Sequence, residues 1–135
     1  MKKYIIASFI VCFSSFCSAG EWFIVGSGKA EAEVNTEIVE AKLWEFLAAK
    51  SKEQFRSKES YKFQYKFVSK NEIYINALCS PDLKSTNDIG VMPEFTREQL
   101  TKDFINVFDG GSCYFGVKFN TEKHTFSKFQ VNGRA

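Results

Sequence analysis

The sequence predicts an α+β domain, one long helix packed against an antiparallel meander sheet. Residues 30–52 repeat their apolar positions at the 3.6-residue helical period. After Tyr61 the period changes to two, in a pair of stretches separated by a short polar turn. A further run of alternating stretches surrounds Asp109-Gly110-Gly111 near the end of the chain. Helices and strands segregated along a chain in this way give a layered architecture of sheet and helix.

The first residues stand apart from that domain. Lys2 and Lys3 precede an apolar run over residues 4–13, and a small-residue stretch ends at Cys17-Ser18-Ala19. This order of charged, apolar and small residues is that of a secretory signal peptide. The apolar run is shorter than the ~20 residues a membrane helix needs. Cleavage is expected after Ala19, dividing the chain into a signal peptide, 1–19, and a single domain, 20–135. Lipid modification does not fit, because it needs small residues before the cysteine, and Val11 and Phe16 precede Cys12 and Cys17.

Removing the leader changes the composition. The 18 basic and 16 acidic residues give a net charge of +2, and Lys2 and Lys3 account for all of the excess. A neutral domain offers no electrostatic footprint for nucleic acid, and none for a stable membrane anchor after cleavage. The 4 cysteines fall to the pair Cys79 and Cys113. An even pair in an exported chain is most simply a disulfide. One histidine and no CxxC spacing provide no metal site, and no cofactor motif is present.

Taken in order, residues 21–25 form a short strand stopped by Gly26-Ser27-Gly28. In the helix over 30–52, Ala32, Val39, Leu43, Phe46 and Leu47 make one apolar side. Val34, Ile38, Ala41, Trp44 and Ala48 make a second, and Glu33, Glu37 and Glu40 share a narrow solvated stripe. So much apolar girth suits a helix wrapped by a curved sheet. Phe63, Tyr65 and Phe67, then Ile73, Ile75, Ala77 and Cys79, mark the two strands of a hairpin turned at residues 69–72. Residues 80–94, with Pro81, Gly90 and Pro93, form a loop long enough to be either mobile or functional.

Thr96 and Gln99 have capping-box spacing, and Phe95 with Leu100 can form the accompanying hydrophobic staple, so a short helix runs from there to about Lys102. Residues 103–108 read as a strand entering the Asp-Gly-Gly turn, and residues 113–119 as its return. The last strand, 125–131, has Phe126 and Phe129 three apart, which breaks the alternation and implies a bulge or an edge position.

The layout of a long helix against a meandering antiparallel sheet resembles the cystatin-like superfold, which includes the nuclear-transport-factor-like domains. The tail VFDGGSCYFGVKF followed by FQVNGRA is similar to small exported bacterial proteins with a DGGSCYF-type hairpin. That likeness covers residues 107–135 and brings no activity with it, and fold likeness alone gives none.

Several short motifs fail on chemistry. Gly26-Ser27-Gly28-Lys29 lacks the earlier glycine and the following hydroxyl of a phosphate loop, since Phe23 and Ala30 stand there. Gly111-Ser112-Cys113-Tyr114 echoes a cysteine-protease nucleophile. Here, however, Cys113 begins a strand, and His124 follows eleven residues later in a turn, where it reads as solvated. Gln130-Val131-Asn132-Gly133 is one residue short of the cystatin inhibitory loop and lies at the wrong end of the chain. Tyr65, Asn76 and Asp109 are the polar residues that could face a pocket between helix and sheet.

The remaining candidate is a surface. A Cys79–Cys113 bond would hold the ends of the 80–94 loop and of the turn Asp109, Gly110, Gly111, Ser112 together, and loops braced by a scaffold are where binding concentrates. The expectation is an exported, non-enzymatic binding protein, periplasmic or extracellular in a bacterium, whose partner is an envelope or secreted protein. An inhibitor or an immunity factor would be of this kind. The alternative is a small-ligand carrier or enzyme with a cavity between helix and sheet.

Overall fold

The computed structural model describes residues 20–26, 33–79, 95–107 and 110–133. The expected signal peptide, the 80–94 loop, the Ser27-Gly28-Lys29 turn and Asp109 lie outside these residues. The chain is α+β, with five strands in sequential order and one main helix. Strand β1 is Glu21–Ile24, helix α1 Thr36–Lys50, β2 Tyr61–Ser69, β3 Glu72–Cys79, helix α2 Arg97–Lys102, β4 Tyr114–Asn120 and β5 Thr125–Val131.

Helix α1 starts later than the periodicity of residues 30–52 predicts. Residues 33–35 are outside the helix, Asn35 is extended, and its side chain accepts from the Ile38 N–H, meeting one of the donors a helix start leaves free. At the other end the Ser51 N–H reaches the Leu47 carbonyl. Val39, Leu43 and Leu47, four residues apart, are buried on the sheet, and Trp44 and Phe46 pack beside them. Of the expected second apolar side, Val34 and Trp44 pack against the core, whereas Ile38 is 45% exposed and Ala41 and Ala48 are exposed.

The sheet is mixed, which corrects the expected all-antiparallel meander. β1 runs parallel to β2, from Glu21 opposite Lys62 to Ile24 opposite Tyr65. Between them the chain crosses over through α1, and a crossover returns a strand in the direction of the first. β2 through β5 are antiparallel neighbours. The expected strand at 103–108 is absent from its described part, residues 103–107. β3 and β4 pair directly from Glu72 opposite Asn120 to Leu78 opposite Tyr114, so no strand fits between them. The 103–107 backbone lies on the outer face of the sheet and bonds to side chains instead of a ladder. Accordingly Gly111–Cys113 is a single 3-10 turn leading into β4 and not the tip of a hairpin.

β5 carries the bulge that its sequence implies. Lys128 and Phe129 together oppose one residue of β4, Lys128 takes φ 54°, and Phe126 and Phe129 both reach the helix-side core. The capping box of α2 is also present, with Thr96 and Gln99 exchanging bonds. Cys79 and Cys113 stand at disulfide-bonding distance, one rung beyond the Leu78–Tyr114 pair, with Cα atoms 4.9 Å apart.

Candidate functional site

The layer between helix and sheet is filled with rings. Trp22 stacks on Phe63 at 4.5 Å, Trp44 lies 5.4 Å from Tyr61, and Phe55 and Phe129 each close on Phe115. Tyr65, expected as a polar group facing a pocket, is buried here against Trp22. Asn76 is on the other face of the sheet, because its partner in register is Gln64 and not Tyr65. The two residues are not brought together.

Among the described residues, one charged group enters this layer. Glu40, expected on the solvated stripe with Glu33 and Glu37, is 3% exposed. Its carboxylate accepts from Trp22 Nε1 at 2.8 Å, the Gly20 N–H at 3.0 Å and Trp44 Nε1 at 3.4 Å. The sequence held a signal for this: two tryptophans must bring indole N–H groups into an apolar core, and Trp44 lies one helical turn beyond Glu40.

On the outer face, Asn76, Gly116 and Gln130 stand in one row across β3, β4 and β5. Gly116, having no side chain, leaves room that the Tyr74 hydroxyl takes up, and the groove opens beside the two. The segment 105–107 walls it, held by bonds from Asn76 Nδ2 to the Ile105 carbonyl and from Asn132 Nδ2 to the Val107 carbonyl. The resulting groove encloses about 110 Å³. Tyr74, Asn76, Asn106, Lys128, Gln130 and Asn132 give it phenol, amide and ammonium groups, with no carboxylate among the described residues that line it. Burial pushes the Tyr74 phenol above its ordinary value, which keeps it a neutral donor.

Of the proposed binding turn, Gly110 is exposed with φ 95°, whereas Gly111 and Ser112 are buried. Gly111 N–H donates to the Gly133 carbonyl at 3.2 Å. Ser112 Oγ donates to the Gln54 carbonyl at 2.6 Å, and its own carbonyl accepts from the Tyr61 hydroxyl at 2.9 Å. Those bonds fix the turn to the chain end and to the segment before β2, at the end of the groove lined by Leu78 and Tyr114. His124 is exposed, with φ 55°, and stacks on Phe119 at 5.8 Å.

Near it, Val34, Ile38, Phe119 and His124 line a second hollow of about 200 Å³ at the start of α1. Among the described residues no three His, Cys, Asp or Glu side chains gather as a metal site would require. No family model, curated protein or solved structure matches this chain.

Proposed function

We propose that this chain is an exported, non-enzymatic binding protein that seats an envelope or secreted protein over the outer groove. The observation that carries the reading is the groove itself. At about 110 Å³ it is smaller than the ~300 Å³ at which small-molecule sites begin, but it suits one side chain of a protein partner. Its amides and phenol would bond that side chain, and the adjoining turn at Gly110 would extend the contact. The β5 edge serves this purpose less well, because the bulge at Lys128 interrupts the ladder that an added strand needs.

Export is supported by the leader sequence and the Cys79–Cys113 pair, and no helix among the described residues is long and apolar enough to cross a membrane. The cystatin-like likeness belongs to the same proposal. One helix on four antiparallel strands supports it, and the parallel β1 sets this chain apart. An inhibitor or immunity factor is the form of binding protein that such a compact, ring-filled domain suits.

The test is capture of a stoichiometric partner from the producing bacterium's envelope extract with tagged domain 20–135, compared with Asn106→Arg and Gln130→Arg. Both residues are exposed at the groove. Either variant should lower affinity about tenfold or more while leaving the melting temperature in place. Full binding by both variants would overturn the reading. A small-ligand carrier is the second reading, favoured by the hollow beside His124; a metabolite retained in native mass spectrometry, and lost with Ile38→Arg, would establish it instead.

A further inference from the structure

We infer that cleavage of the leader completes the fold, by placing the new α-ammonium of Gly20 in a buried ion pair with Glu40. This rests on the export reading and goes beyond it, since it assigns a structural task to the new chain end.

Glu40 sits on the inner side of α1, one turn before Trp44 and beside the start of β1. A carboxylate so deeply buried is costly unless its charge is met. Among the described residues it meets three N–H donors, two indoles and the backbone of Gly20. Two donors are neutral in any form of the protein. The third lies at the expected cleavage site: Gly20 N is 3.0 Å from Glu40 Oε1, in a buried contact.

Hydrolysis of the Ala19–Gly20 amide adds one water across that bond. Ala19 leaves with a carboxylate, and Gly20 keeps an amine that takes a proton at neutral pH, its ordinary pKa being about 7.7–8.0. A neutral amide donor thereby becomes a cation at the same position, and a charge-assisted bond replaces an ordinary one.

The position also explains the residue. A Cβ on Gly20 would stand 2.5 Å from Phe63 Cε2 and 3.0 Å from the Tyr61 carbonyl oxygen. Only glycine lets the chain end lie flat against Phe63 and reach the carboxylate. The precursor, lacking the cation, is the less stable form, which suits a chain that must cross a membrane unfolded.

The test uses domain 20–135 released from a fusion by a protease that leaves Gly20 first, so that it does not depend on processing in the cell. The described core clusters lie wholly within this domain. It is compared by urea unfolding with the same chain N-acetylated at Gly20 and with one retaining Ala19. The free-amine form should have an unfolding constant about tenfold lower than either. In Glu40→Gln, which keeps the shape and removes the charge, the three forms should differ by less than about twofold.

Equal stabilities of the free-amine and acetylated forms with Glu40 present would overturn the inference, as would a difference that survives in Glu40→Gln. N-terminal sequencing of the exported protein tests the cleavage reading separately. A start other than Gly20 would overturn that reading and the cellular role of the pair, whatever the stabilities of the prepared chains.

Discussion

Gln64 and Asn76 face each other across β2 and β3, with Asn76 Nδ2 2.9 Å from Gln64 Oε1, and together they pin the segment after α2 to the back of the sheet. Gln64 Nε2 donates to the Leu100 and Asp103 carbonyls, both at 2.8 Å, and Gln64 Oε1 also accepts from the Ile105 N–H at 2.9 Å. Both amide hydrogens and both lone pairs of a fully buried side chain are therefore used. Gln64 thereby shares with Asn76 and Asn132 the task of holding the wall of the groove.

Gln64→Leu should accordingly cost more than its hydrophobicity returns. It strands the two carbonyls and the Ile105 N–H, and a loss of about 2–3 kcal/mol in urea unfolding is expected. Amide exchange should quicken at Ile105 while β3 and β4 stay protected. Unchanged exchange there would show that the segment is held by Leu100 and its apolar neighbours alone.

The cysteine pair closes a loop of 34 residues from β3 to β4. In the chain-entropy model that closure stabilises the fold by about 3–4 kcal/mol, and Cys79→Ala with Cys113→Ala should remove it. Denaturant unfolding of the oxidised protein against the double variant measures the difference. If the two unfold at the same midpoint, or if thiol titration finds two free thiols in the exported protein, the cysteines are not bonded.

Gly110 is required by its backbone and by its neighbour. It has φ 95°, and a Cβ would lie 2.5 Å from Tyr114 Cε2, on a ring that is itself buried. Gly110→Ala should cost about 1–3 kcal/mol, as strained backbone positions do. Gly133→Ala, where an added Cβ meets nothing within 4 Å, is the matched control and should be nearly neutral.

What could be read from the sequence follows from what periodicity reports. Alternation in β2, β3 and β4 reflects one buried face, and the spacing of Phe126 and Phe129 exposed the bulge in β5 for the same reason. The cysteine pair was legible by counting, because Cys12 and Cys17 belong to the expected leader and leave Cys79 and Cys113 as an even pair. Periodicity does not report who covers the other face, and nothing in the alternation of Phe63, Tyr65 and Phe67 tells that α2 and residues 103–105 lie over Gln64. Residues 103–108 read as a strand because their apolar side chains suit one, yet in the described part, 103–107, backbone groups of Asp103, Ile105 and Val107 are taken by Gln64, Asn76 and Asn132. Glu40 shares helical spacing with Glu33 and Glu37, and only the two indoles and Gly20 distinguish it. The groove needed three strands in register around Gly116, which no local pattern contains.

Burial also sets an alkaline limit on the fold. It pushes the phenols of Tyr61, Tyr65 and Tyr74 above their ordinary value of 10.0. At Tyr61 this is partly offset by the bond from the Arg56 N–H at 3.1 Å and by the Arg56 charge, both of which favour the phenolate. With folded values raised, the native state holds its protons longer than the unfolded chain does. Their contribution to stability is complete below about pH 10 and is lost as pH rises through the folded values. In the chain N-acetylated at Gly20, which lacks the α-ammonium, urea midpoints should therefore be flat from pH 8 to 9.5 and fall above about pH 10, with tyrosinate absorbance lagging that of the unfolded protein. Tyr65→Phe keeps the ring against Trp22 and removes one ionisable group, so its midpoint should fall less steeply while matching the parent near pH 8. An unchanged slope in that variant would mean that the Tyr65 hydroxyl is not shielded from water in the folded protein.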